Sequence, residues 1–100
     1  MHSEEILHSL TKPFIIAGIY KDEKSALTDI ALDYVRRKIE QYDSVIVSLK
    51  RKYGVDFDQF TEAIKNNASL TAEDDWMEWK GAIEMRRSWE NANRMIISNE

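Results

Sequence analysis

Leu32, Val35, Ile39, Tyr42, Ile46, Leu49 and Tyr53 follow one another at steps of three and four residues, in a stretch without Pro or Gly. That spacing keeps all seven on one edge of a helix over three heptads. It predicts a single helix from Glu23 to Tyr53, roughly 45 Å long at about 1.5 Å per residue. A chain of 100 residues cannot wrap such a rod completely, so part of the edge is expected to meet another helix. That helix belongs either to the same chain or to a second copy. The seven residues are therefore the expected dimerisation surface of a homodimer, parallel or antiparallel.

Local signals place the other elements. Ser3 can cap a first helix, with Glu4 and Glu5 favourable in its first turn and Ile6, Leu7 and Leu10 on its apolar side. Pro13 is expected to interrupt it. The segment from Phe14 to Tyr20 reads as a second short helix ended by Gly18 or as a buried strand. A lone strand would find no partner, which favours helix. Asp22 is a good N-cap for the long helix, while Lys50, Arg51 and Lys52 suit its C-terminus and Gly54 its left-handed cap.

A restart follows at once. Asp56 and Gln59 form a capping box, and Val55 can staple onto Phe60. The helix from about Phe57 to Lys65 would bury Phe57, Phe60 and Ile64. After the linker-like Asn66-Asn67-Ala68-Ser69, Thr71 opens a last helix with Glu73, Asp74 and Asp75 in its first turn. Trp79, Ala82, Met85, Trp89, Ala92 and Ile96 line one stripe of it, with Trp76, Ile83 and Met95 alongside. This predicts an all-α fold of about four helices in a single domain, residues 1–100. Residues 1–54 hold the long dimerising helix, and residues 55–100 form an acidic, Trp-rich helical segment.

Charge changes the picture more than bulk composition does. Residues 1–54 carry nine Lys and Arg against eight Asp and Glu, a net of +1; residues 55–100 carry five against ten, a net of −5. The second half should repel nucleic acid and attract a basic partner. Nucleic acid is therefore at most a secondary partner, through Arg36-Arg37-Lys38 and Lys50-Arg51-Lys52, clusters that also suit a solvated flank and a helix end. No apolar run reaches the roughly 18 to 20 residues needed to cross a bilayer. The start MHSEEIL is unlike a signal peptide, and the absence of cysteine suits the cytoplasm.

Candidate chemistry is sparse. His2 and His8 are the only histidines. Glu5 and His8 make one E-x-x-H pair, whereas a di-metal bundle site needs two such pairs and further Glu residues. No serine lies in an elbow motif, and no glycine loop could cradle phosphate. A helical ribonuclease site of the HEPN kind would place His a few residues after Arg, and none of Arg36, Arg37, Arg51, Arg86, Arg87 and Arg94 has such a His. The expectation is no enzyme, no metal and no cofactor. Three Trp within fourteen residues are harder to set aside, since Trp is enriched where proteins bind proteins. The stripe either folds back on the long helix or faces a partner, and the two are compatible if it does some of each.

The segment Gly18-Ile19-Tyr20-Lys21-Asp22, leading into Glu23–Ala31, resembles one in ParD-like and related small prokaryotic antitoxins. There a glycine, an aromatic and a polar cap precede a helix. Gly18 and Tyr20 match, and Asp22 stands at the capping position. Residues 53–60 and 74–79 are also similar to antitoxin-like proteins, so the likeness covers about 30 of the 100 residues. It implies a type II antitoxin: a dimerising part followed by an acidic, apolar segment covering a basic toxin, a ribonuclease. On that reading Trp76, Trp79, Met85, Trp89 and Ile96, with Asp74 and Asp75, bind the partner. The chain departs from the pattern in having no alternating strand before Gly18 and Thr28 where a basic residue is usual. DNA autoregulation is therefore not expected. Without a toxin, the same features describe an oligomerising helical interaction module.

Overall fold

The computed structural model describes residues 3–98, with side chains from Glu4 onward. The side chain of Ser3, expected to cap the first helix, and His2 lie outside the described residues. Among those residues the fold is all-α, with four helices: α1 Ser3–Ile16, α2 Glu23–Tyr53, α3 Phe57–Ile64 and α4 Leu70–Ser98. No helix among them is long and apolar enough to cross a membrane.

Both ends of α2 lie where the caps put them. Asp22, in an extended conformation, accepts the Ser25 amide at 2.8 Å. At the far end Gly54 takes φ 69°, and its amide reaches the Lys50 carbonyl at 2.8 Å. The chain then turns straight into α3 through the expected capping box: the Gln59 amide donates to Asp56 Oδ1 at 2.8 Å, and the Asp56 amide to Gln59 Oε1 at 3.1 Å.

Two boundaries differ from expectation. Pro13 does not interrupt α1, which continues for one more turn; Ser9 and Pro13 are exposed, so water can satisfy the carbonyl that proline leaves unbonded. The helix ends instead in a Schellman motif, with Gly18 at φ 77° and the Ile19 amide on the Phe14 carbonyl at 3.0 Å. The residues from Phe14 thus complete α1 and form no separate helix or strand. α4 begins at Leu70, one residue before the expected Thr71, because Ser69 caps it: Ser69 Oγ accepts the Ala72 amide at 3.1 Å and its carbonyl accepts the Glu73 amide.

α4 runs antiparallel along α2, with Asp75 beside Lys52, Arg86 beside Asp43 and Trp89 against Tyr34. The molecule is elongated, 60 × 27 × 23 Å. Its radius of gyration is 19.7 Å, against about 13 Å for a compact domain of this length. The core sits at one end, where Leu49, Phe60 and Trp79 are buried together. Trp79 is 1% exposed, its ring centroid 5.5 Å from those of Phe57 and Phe60 and 6.5 Å from that of Tyr53. Val55 packs on the same cluster, as expected of a staple. Trp76 stacks on Phe57 and donates its indole N–H to Thr61 Oγ1 at 2.8 Å, whose hydroxyl in turn donates to the Phe57 carbonyl.

The opposite end is thinner. α1 crosses α2 where Thr11 and Ala26 are fully covered, and His8 Nδ1 stands 3.7 Å from Glu23. Trp89 packs edge-on to Tyr34, but its buried indole N–H meets no acceptor among the described residues. An orphan donor of this kind costs about 1 to 3 kcal/mol. The two tryptophans should therefore answer substitution differently. Trp79→Ala is expected to lose about 3 to 5 kcal/mol in urea unfolding, a large share of a small domain's stability. Trp89→Phe, which removes the orphan donor and keeps most of the ring, should stay within about 1 kcal/mol of wild type. Equal losses from both changes would contradict this division of the core.

Candidate functional site

The seam on α2 is covered from within the chain. Val35 and Leu49 are buried, and Leu32, Ile39, Tyr42, Ile46 and Tyr53 are half-buried on the side that carries α4. A surface expected to meet a second copy is occupied by the returning α4, because α3 and the short turn before Leu70 bring that helix back. The outward side of α2 is mostly polar, with Asp33 and Arg37 paired at 3.0 Å and Ile30 and Val47 exposed among the polar residues.

The residues expected to bind a partner separate into three groups. Trp79 is core, and Trp76, Trp89 and Ile96 are half-buried along the inner side of α4. Met85 is 41% exposed at the rim of that side. The two acids diverge: Asp74 is exposed, whereas Asp75 turns inward and accepts both Lys52 Nζ at 2.7 Å and the Tyr53 hydroxyl. That double donation, led by the Lys52 ammonium, holds the Asp75 carboxyl below its ordinary value of 3.8. The same contact raises Lys52 and Tyr53. Asp75 is thus a clamp between α2 and α4.

What the sequence pattern missed lies on the reverse of α4. Leu70 and Met77, seven residues apart, are 75% and 67% exposed. Glu73 and Asp74 stand one turn from both, and Glu78 lies beside them. Asp74 and Glu78 are four apart with the same charge, an arrangement that costs a helix about 0.2 to 0.5 kcal/mol. Glu73 and Asp74 suit the start of the helix, but exposing Leu70 and Met77 among them brings folding no gain. The signal was present as an apolar i, i+7 pair among acids, but the broader Trp stripe overshadowed it.

At the other end Tyr20 donates to Asp29 over the start of α2, and that hydrogen bond raises the Tyr20 hydroxyl. Among the described residues no three His, Asp or Glu side chains gather as metal ligands.

No protein-family model matches the chain, and no curated protein or solved structure does either.

The Asp75 clamp makes stability depend on pH. Because the folded carboxyl titrates below its unfolded value, the stabilisation is complete above that unfolded value and fades as pH falls through the folded one. On the alkaline side the raised Lys52 and Tyr53 contribute below their unfolded values of 10.5 and 10.0 and lose that contribution as pH rises. Asp75→Asn should flatten the fall of the urea midpoint on acidification from neutral pH. Identical acid slopes in variant and wild type would show that the clamp is not linked to folding.

Proposed function

We propose that the chain acts as a binding protein without catalytic chemistry of its own, covering a basic protein partner in the antitoxin-like manner that Gly18, Tyr20 and Asp22 imply. The partner on this reading is a toxin, a ribonuclease, neutralised by occlusion in the cytoplasm. The observation that carries the reading is the outer face of α4, where Leu70 and Met77 stand exposed among Glu73, Asp74 and Glu78. Two protruding apolar side chains supply anchors for pockets, and the acids around them favour a positively charged surface.

The tryptophans have a supporting role here. Trp76 and Trp79 hold the inner face of α4 on α2 and α3, which keeps the outer face rigid and helical before any partner arrives. A preformed helix avoids the ordering cost that a disordered segment incurs on binding. Pairing of two copies belongs to the same reading.

The test is the affinity of the purified chain for the product of the reading frame adjacent to its own. Met77→Ala combined with Asp74→Lys should weaken binding at least about tenfold, since each 1.4 kcal/mol is a factor of ten. The helical circular dichroism should not change, because both side chains are exposed. Full-strength binding by the folded double variant rules out this face, and a neighbour that does not bind at all rules out the toxin reading.

A further inference from the structure

α1 leaves more apolar surface open than the fold of a single chain accounts for. Ile6, Leu7, Leu10 and Phe14 are 45%, 41%, 63% and 38% exposed. At 100° per residue they fall, with Pro13, inside a sector of about 120°. Glu5, His8 and Lys12 lie outside that sector, so the stripe carries no charge of either sign.

We propose that this stripe is where two copies of the chain meet, as an antiparallel α1–α1 pair across a two-fold axis near Leu10. This deepens the pairing part of the reading above by naming its surface. It concerns the pure chain alone, so failure of partner binding leaves it standing.

Three observations favour a second copy as the occupant. The first is area. An open residue of this size presents on the order of 200 Å², so the four exposed side chains of α1 offer about 370 Å² per copy. Two copies would hide about 750 Å² of apolar surface, which at the usual non-polar share of about 57% corresponds to an interface near 1,300 Å². That is the size specific pairs bury. The second is charge. A two-fold contact sets a patch against a copy of itself, so a patch of one sign would repel its image, and this stripe has no charge to repel. The third is the length of the molecule. The carboxylates of α3 and the start of α4 lie beyond the far end of α2, a helix of 31 residues, or about 46 Å. Pairing through α1 holds these acidic ends apart. It also gives α1 a second wall, which a 14-residue helix containing Pro13 needs, since helices of about 12 to 15 residues are marginal alone.

Sedimentation of the full-length chain tests the pairing. Wild type should be dimeric at micromolar to millimolar concentration. Leu10→Glu should weaken the dimer by about hundredfold or more, because both copies lose the central side chain and each 1.4 kcal/mol is tenfold. The unfolding of α2 and α4 should be unchanged in that variant. A second variant keeps the outcome clear if α1 frays. Leu10→Cys, in a chain with no other cysteine, should cross-link to a disulfide dimer under mild oxidation, while Glu5→Cys on the opposite side should not. A wild-type chain monomeric at millimolar concentration overturns the proposal, as does a Leu10→Glu chain that remains dimeric. Co-sedimentation of wild type with phosphatidylcholine–phosphatidylglycerol vesicles, lost in Leu10→Glu, would assign the stripe to lipid and equally overturn it.

Discussion

The burial of Trp79 against Tyr53, Phe57 and Phe60 is the contact on which the rest of the molecule depends. Those four rings come from the end of α2, from α3 and from α4, so a single cluster joins three helices at one end. Once it forms, α4 has one direction available, back along α2. The Asp75 clamp and the Trp76–Thr61–Phe57 relay secure the same junction by polar means. The hairpin then closes along the seam, through Arg86 on Asp43 at 2.7 Å and finally Trp89 on Tyr34. Beyond the junction Val35 and Ala82 remain buried, while the indole N–H of Trp89 is covered without an acceptor among the described residues.

An elongated hairpin anchored at one end leaves two surfaces of different character. Near the aromatic cluster, α4 is gripped on its inner side and presents acids with Leu70 and Met77 on the outer one. At the far end α1 packs on α2, and Thr11 and Ala26, one from each helix, are both buried. Small residues permit close approach at one point, but they do not spread the contact along either helix. The apolar stripe of α1 therefore stays open, some 40 to 50 Å from the acidic face by the length of α2. One surface is charged and suits a partner of opposite sign; the other is uncharged and suits its own image.

Much of the secondary structure was legible because it is decided within a few residues. Asp22, Gly54 and the Asp56–Gln59 box bound α2 and α3 through hydrogen bonds to neighbouring backbone, which no distant contact has to supply. Pro13 was misleading for the opposite reason: whether proline ends a helix depends on whether the freed carbonyl finds water.

By itself the sequence determined the helices, their apolar edges and the acidic balance of the second half, all properties of spacing and composition. Only the tertiary structure decided what covers each edge. Periodicity shows that Leu32 through Tyr53 share a face, but it does not say that α4 of the same chain occupies it. It also could not sort the residues of the α4 stripe. That stripe runs from Trp79 to Ile96, and only burial shows Trp79 in the core and Met85 at its rim. Met77, by contrast, two residues and about 200° round the helix from Trp79, lies on the far side by local geometry. Which side of α1 stays open follows from where α1 packs on α2, burying Thr11 and leaving Ile6, Leu10 and Phe14 exposed, and no local pattern encodes that.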